Sequence, residues 1–241
     1  MKIFGRNAVS EALASGMTMD RLAAAKGQKD AGAERIISAA RSRGVKIQFL
    51  DTEVLDRESG GKKHQGFIAD VTDYKYCGVE DILAAAEAKN EPPFVVILDG
   101  VEDPHNLGSV LRVAECGGVH GVIIPARRAV NVNETVIRVS AGAAAHVKVA
   151  RVNNINDTIR GFKERGIFVY AADASGENIY KTDFRSACAV VVGGEDTGVK
   201  RLSRELCDKV VALPVFGKIN SLNASVACGV TVYEIIRQRA L

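Results

Sequence analysis

Apolar and polar positions along this chain switch several times between a helical period and a strand period. Residues 7–13 and 34–42 carry the helical one, and 45–50 alternate with period two, as a half-buried strand does. A glycine-rich basic loop covers 59–66, and a strand is expected over 67–71. Residues 74–78 read as a connector and 79–89 as a short alanine-rich helix, before Glu91-Pro92-Pro93 punctuates the chain. The pattern therefore predicts a domain over 1–73, a linker over 74–91 and a second domain over 92–241.

From Phe94 onward the pattern changes. Residues 94–98 form a continuous apolar run, typical of a strand buried on both faces. Further strands are expected at 119–124, 147–149, 167–172, 187–192 and 209–213. Between them lie helical patterns: one ending near 115, then 133–145, 157–165, 201–206 and a long last one over 221–239. Alternating strands and helices predict an α/β fold with a mostly parallel sheet covered on both faces.

Composition narrows the class. The 241 residues are 47% hydrophobic and 25% charged, as in a folded globular protein. No apolar run approaches the ~18 residues of a membrane span, and the start, Met1-Lys2-Ile3-Phe4-Gly5-Arg6, lacks the apolar core of a signal peptide. A cytoplasmic protein without a membrane segment is expected. Five cysteines, at 77, 116, 188, 207 and 228, form no C-x-x-C pair. The four histidines form no H-E-x-x-H, so no metal is expected.

Net charge is +3, and its placement says more than its size. Residues 1–75 hold 13 Lys/Arg against 10 Asp/Glu, and the remainder is balanced at 19 against 19. The excess in the first third points to a polyanion meeting that part of the chain, although a solvated mixed-charge surface gives the same count. With no Trp and 5% aromatic residues, base stacking is a poor main binding device.

No G-x-G-x-x-G follows the first strand of the second domain, which argues against a Rossmann dehydrogenase. Gly193-Gly194-Glu195-Asp196-Thr197-Gly198-Val199-Lys200 superficially resembles a P-loop. Val199 stands where that motif needs lysine, and the acidic pair would repel phosphate.

Three loops after predicted strands remain, which is where open α/β sheets bind ligands. In Asp103-Pro104-His105-Asn106-Leu107-Gly108, Asn106 suits a helix N-cap, with Arg112 a surface residue two turns in. The same helix start with its arginine is also a ready anion site. In Gly193-Gly194-Glu195…Gly198, paired glycines allow close backbone approach to a flat ligand, as those of an ordinary turn also would, and Glu195 is either a plain loop carboxylate or one that orients a partner such as Arg112 through a charge-assisted bond. In Leu213-Pro214…Ser221-Leu222-Asn223-Ala224-Ser225-Val226-Ala227, Ser221 suits the N-cap of the last helix. Small residues inside that helix, Gly229 among them, predict close backbone packing.

In this order and spacing the three loops resemble the SpoU/TrmH family of RNA ribose 2′-O-methyltransferases, in the SPOUT class. Phe4-Gly5-Arg6-Asn7-Ala8-Val9 and His64-Gln65-Gly66 resemble that family's N-terminal substrate-binding domain. With that domain, the chain is most similar to members acting on a guanosine of bacterial 23S rRNA. Gly194, where relatives often carry Ala or Ser, and the variable pair Asp196-Thr197 are minor departures.

The resemblance implies a small N-terminal α/β RNA-binding domain and a C-terminal mostly parallel-sheet SPOUT domain ending in a deep trefoil knot. It implies S-adenosylmethionine as cofactor, held by Gly194, Glu195, Gly198, Leu213, Pro214, Ile219, Ser221 and Leu222. It implies a catalytic set of Asn106, Arg112, Glu195, Ser221 and Asn223, with Lys62, Lys63, His64 and Arg112 toward RNA. It further implies a homodimer through the knot region and an RNA substrate, rRNA first and tRNA second. A non-catalytic RNA-binding protein would lack the Asn/Arg/Glu/Ser set, which is present here.

Overall fold

The computed structural model describes all residues except Ser15, Gly16, Lys29, Asp73, Asp196, Asn220 and Leu241, and except the side chain of Glu134. Asp196 and Asn220, both within motifs above, thus lie outside the described residues. The chain forms two compact units, Met1–Lys75 with Asn131–Glu134, and Tyr76–Val130 with Thr135–Leu241.

The first unit runs β1 (Lys2–Phe4), α1 (Arg6–Ala14), β2 (Thr18–Ala25), α2 (Ala31–Ser42), β3 (Lys46–Leu50), α3 (Thr52–Ser59) and β4 (Phe67–Thr72). Its sheet has the order β1-β4-β2-β3, with β2 and β3 parallel and β4 antiparallel to both its neighbours. Val9 and Leu13 of α1 and Ile36 of α2 pack on one face against Leu22, Phe67 and Val71. Leu55 of α3 covers the other face, against Ala23, Ala25 and Ile68. Asp30 caps α2, accepting from the amides of Gly32 and Ala33. The sequence pattern missed β1, β2 and α3. The strand β2 is buried almost throughout and ends in three alanines, so it shows no alternation.

Arg21 ties this sheet together. Its guanidinium donates to Asp70 at 2.6 Å, to Gln48 at 3.0 Å and to Glu58 at 2.5 Å. The bond from Arg21 pulls the Glu58 carboxyl down to about 2.

The second unit runs α4 (Val79–Ala88), β5 (Phe94–Asp99), α5 (Pro104–Cys116), β6 (Gly121–Pro125), α6 (Glu134–Val139), β7 (Val149–Val152), α7 (Ile155–Glu164), β8 (Phe168–Asn178), β9 (Cys188–Gly193), α8 (Arg201–Leu206), β10 (Lys209–Ala212) and α9 (Ala224–Arg239). The sheet order is β10-β8-β9-β5-β6-β7, and every pairing is parallel. The two central strands, β5 and β9, are buried along their whole length, which explains their unbroken apolar runs.

Residues 76–91 belong to this second unit, so the expected linker over 74–91 is corrected. Ile82 of α4 is fully buried among Val95, Ile97 and Ile123, and the Cys77 amide donates to the Val149 carbonyl. The helix expected over 133–145 is also broken. It splits into α6 and a 3-10 turn at Ala143–Ala145. Ala141 and Gly142 between them have φ of 51° and 92°, outside the helical region.

Chain order fixes where ligands can sit. The sheet grows from β5 toward β7, then reverses, and β9 inserts between β5 and β8. The reversal leaves a crevice at the carboxyl ends of β5 and β9. On one face, α5 and α9 pack together. A Cβ on Gly117 would meet Val232 at 2.8 Å, so this close approach requires glycine. Gly229, predicted to be the tight spot, would meet only Val113 at 3.5 Å, an ordinary contact.

Glu58 generates a pH prediction. Its folded carboxyl titrates lower than the unfolded one, so its contribution is complete above the ordinary range of about 4.3 and lost as pH falls toward about 2. Urea unfolding of wild type and Glu58→Gln should show a stability gap near pH 6 that narrows below about pH 4 and closes near pH 2. A gap independent of pH would contradict this role.

Candidate active site

Three segments meet at the crevice. The first is the start of α5. Its N-cap is Asp103, which accepts from the His105 amide, and Pro104 takes the first helical position. Asn106 is therefore inside the first turn rather than the cap, and it is buried. The second is the turn after β9. Gly194 and Gly198 bridge each other, with the Gly198 amide donating to the Gly194 carbonyl at 2.9 Å. A Cβ on Gly193 would fall 1.9 Å from the Gly198 carbonyl carbon, so only glycine fits there. Lys200 fastens this turn to the end of β5 through the buried Asp99, at 2.7 Å.

The third segment is the head of α9. Its N-cap is Asn223, not Ser221. The Asn223 Oδ1 accepts from the Ser225 amide at 3.0 Å and the Val226 amide at 3.3 Å. The asparagine oxygen accepts at the cap while its nitrogen, with two hydrogens, donates to two acceptors outside the helix; a serine hydroxyl has only one hydrogen to give.

These segments join at one carboxylate. Asn106 Nδ2 donates to Glu195 Oε1 at 3.0 Å, and Asn223 Nδ2 donates to the same oxygen and to Asn106 Oδ1. Glu195 is thus oriented by two asparagines. Of the two alternatives the sequence left for Glu195, a pairing with Arg112 is not the one formed among the described residues. Arg112 is exposed on α5 and has no hydrogen bond or ion pair among the described residues.

Glu195 also lines a cavity of about 400 Å³. Of the residues expected around a cofactor, Gly194, Glu195, Gly198, Leu213, Ser221 and Leu222 line it, while Pro214 and Ile219 do not. Val192, Val211, Ile179 and Thr231 also line it, as does Asp173, which sequence reasoning missed. Its one signal is a carboxylate immediately past a predicted strand. Asp173 and Glu195 face the cavity, and no lysine or arginine is among its lining residues. Such a chamber fits a ligand with an apolar ring and a positive charge and opposes phosphate-bearing nucleotides. Among the described residues, no group of three or more His, Cys, Asp or Glu is placed to hold a metal ion. No described helix is long and apolar enough to cross a membrane.

In the first unit, Lys62 and Lys63 are exposed on the loop after α3, and the Lys62 ammonium stands 4.9 Å from the Phe4 ring centre. His64 is buried. Its ring contacts Asp56 at 2.8 Å and accepts from the Gly66 amide at 3.0 Å, so it shapes the loop rather than facing a ligand.

Residues 93–233 match the SpoU rRNA methylase family model, and residues 2–77 match the model for RNA 2′-O ribose methyltransferase substrate binding. The chain belongs to the SpoU methylase family. A TrmH-family protein of Bacillus subtilis, YacO, is 44% identical over 98% of this chain and 95% of its own length. The 23S rRNA (guanosine-2′-O-)-methyltransferase RlmB of Ralstonia nicotianae is 39% identical over 89% of this chain and 86% of its own. The SpoU methyltransferase AviRb of Streptomyces viridochromogenes, solved with AdoMet, shares the fold at a TM-score of 0.63 and 23% identity, over 100% of this chain and 90% of that one. The family's members are RNA methyltransferases, and this SpoU chain is one of them.

The asparagine at the head of α9 serves both helix and site, and two substitutions separate the roles. Asn223→Ser keeps a good cap and should hold the melting temperature, whereas Asn223→Ala should cost about 1 kcal/mol. Both should lose methyl transfer. A fully active Asn223→Ser would contradict a role for the amide toward Glu195.

Proposed function

We propose that the chain transfers a methyl group from S-adenosylmethionine to a ribose 2′-hydroxyl of structured RNA, a guanosine of 23S rRNA. One observation carries the reading: Glu195 both lines the cavity and receives the amides of Asn106 and Asn223. A methyl donor seated in that cavity would meet its acceptor at a fixed, hydrogen-bonded carboxylate. The RlmB relative favours rRNA; tRNA is the second reading, supported by the family's mixed substrate names.

The cofactor, when bound, supplies an electrophilic methyl on a sulfonium. The cavity's residues fit it: an apolar wall, two carboxylates and no competing cation. The chain's own tasks are positioning and easing loss of the hydroxyl proton. Glu195, Asn106, Asn223 and Ser221 offer acceptors and donors for the ribose. Arg112 reaches for the adjacent phosphate and stabilises developing negative charge. A neutral arginine at pH 7 would cost about 7–9 kcal/mol, which disfavours a free-standing base. Gly194, Gly198, Leu213 and Leu222 complete the cofactor site in this reading, and Pro214 and Ile219, which lie outside the cavity wall, shape the segment between β10 and α9.

The rest of the family resemblance belongs to the same proposal. The C-terminal SPOUT domain ends in a deep trefoil knot. The SPOUT domain pairs with a second copy, for which α9 offers an exposed apolar stripe of Val226, Val230 and Tyr233. The first unit docks RNA through Lys62 and Lys63, and the enzyme works in the cytoplasm.

Two measurements test this. Methyl transfer from labelled cofactor to total RNA of a deletion strain, with mapping of the modified ribose, should mark one 23S site. Incorporation confined to tRNA would replace rRNA, and none at all would overturn the proposal. In single turnover, Arg112→Ala and Arg112→Lys should both be slow, because lysine lacks the planar two-pronged donor. Full activity of Arg112→Lys would contradict the positioning role.

A further inference from the structure

The strand β8 contains an interruption that the methyltransferase reading leaves unused. Val210 of β10 pairs with Ala171, but the next residue, Val211, pairs with Glu177. Residues 172–176 are therefore looped out of the ladder between β8 and β10. Ala172, Asp173 and Ala174 from this excursion line the cavity.

Asp173 is held firmly within it. Its Oδ1 accepts from the Ser175 amide at 3.0 Å and from the Ser175 hydroxyl at 2.6 Å, with Arg204 at 3.5 Å. The side chain is only 16% exposed. Oδ2 has no hydrogen bond among the described residues and lies beside Gly198, 3.3 Å from where a Cβ would stand. A carboxylate locked by one oxygen, with the other open to a ligand cavity, is a preorganised acceptor.

The strand order says which part of a ligand it meets. Along the carboxyl edge of the sheet, Asn106 follows β5, Glu195 follows β9, and Asp173 interrupts β8 one strand further out. Neighbouring strands stand about 4.8 Å apart. With the reacting methyl at Glu195 and Asn106, Asp173 is one strand away from the chemistry, toward the apolar wall of Val211, Leu213 and Ile179. The group that joins an adenine on such a wall to a sulfonium is the ribose.

Resting on the methyltransferase reading, we propose that Asp173 Oδ2 accepts from the 2′- and 3′-hydroxyls of the cofactor's ribose, and so positions the nucleoside half. The carboxylate is a binding and positioning group and takes no part in methyl transfer. Gly198 keeps its open oxygen accessible.

Calorimetry on the full chain with S-adenosylhomocysteine, 5′-methylthioadenosine and 2′,3′-dideoxy-5′-methylthioadenosine tests this. Wild type should bind the first two and bind the dideoxy compound about ten-fold more weakly than its parent, the scale of a hydrogen bond to a charged group. Asp173→Asn should weaken S-adenosylhomocysteine and methylthioadenosine alike and narrow the dideoxy difference. In turnover it should raise KM for the cofactor more than it lowers kcat. Ser175→Ala, which removes only the hydroxyl bond to Oδ1, should lose less. A loss confined to S-adenosylhomocysteine would place the carboxylate at the amino-acid end and overturn the proposal. So would equal losses in Ser175→Ala and Asp173→Asn, which would mean that Asp173 only holds the turn. A wild-type chain that binds none of the three would instead overturn the methyltransferase reading.

Discussion

One carboxylate oxygen, Oε1 of Glu195, accepts from the side-chain amides of Asn106 and Asn223. Those three residues are far apart in sequence, yet each closes a different segment: the first turn of α5, the turn after β9 and the head of α9. Bonds to an ionised acceptor are about twice as strong as neutral ones, so this junction holds three loops in one register. It also explains the choice of residue types. At 223 the asparagine oxygen accepts from its own helix while its nitrogen donates to both Glu195 and Asn106, whereas a serine there has a single hydrogen and would satisfy only part of the arrangement. The cavity wall beside Glu195 inherits its geometry from this junction.

The sheet makes the junction possible. Six parallel strands bring every strand's carboxyl end to one edge, and insertion of β9 between β5 and β8 sets Glu195 beside the segment that carries Asn106. Close backbone contacts then secure the turn after β9. The Gly198 backbone approaches Gly193 too closely for any side chain at 193, and the buried Asp99 grips Lys200. Among the described residues the chamber has two carboxylates and no lysine or arginine in its lining, a charge that suits a cationic ligand better than a phosphorylated one.

Much of this was legible in the residues, for identifiable reasons. The central strands β5 and β9 are buried on both faces, so their apolar runs are unmistakable. The three functional loops stand out because each combines turn chemistry with polar residues after a strand. Local patterns failed where several residues could do one job. Asp103, Asn106, Ser221 and Asn223 are all good N-caps by type, and only the fold selects Asp103 and Asn223. The partners of Glu195 are not legible locally: an arginine is the expected mate of a carboxylate, and nothing nearby in sequence reveals two asparagines 89 and 28 residues away. His64 reads as a ligand-facing residue of a basic loop, yet its hydrogen bonds turn it inward. Asp173 escaped notice because the excursion of β8 is a property of pairing between strands, invisible to periodicity.

The central claim is that Asn106 and Glu195 act as one unit in methyl transfer. A double-mutant cycle on the single-turnover rate, with Asn106→Ala, Glu195→Gln and the pair together, measures it most directly. If the two side chains work through their shared bond, the double variant will be little slower than the slower single one, a coupling of about 1 kcal/mol or more. Strictly additive losses would show that they act independently and would contradict the account.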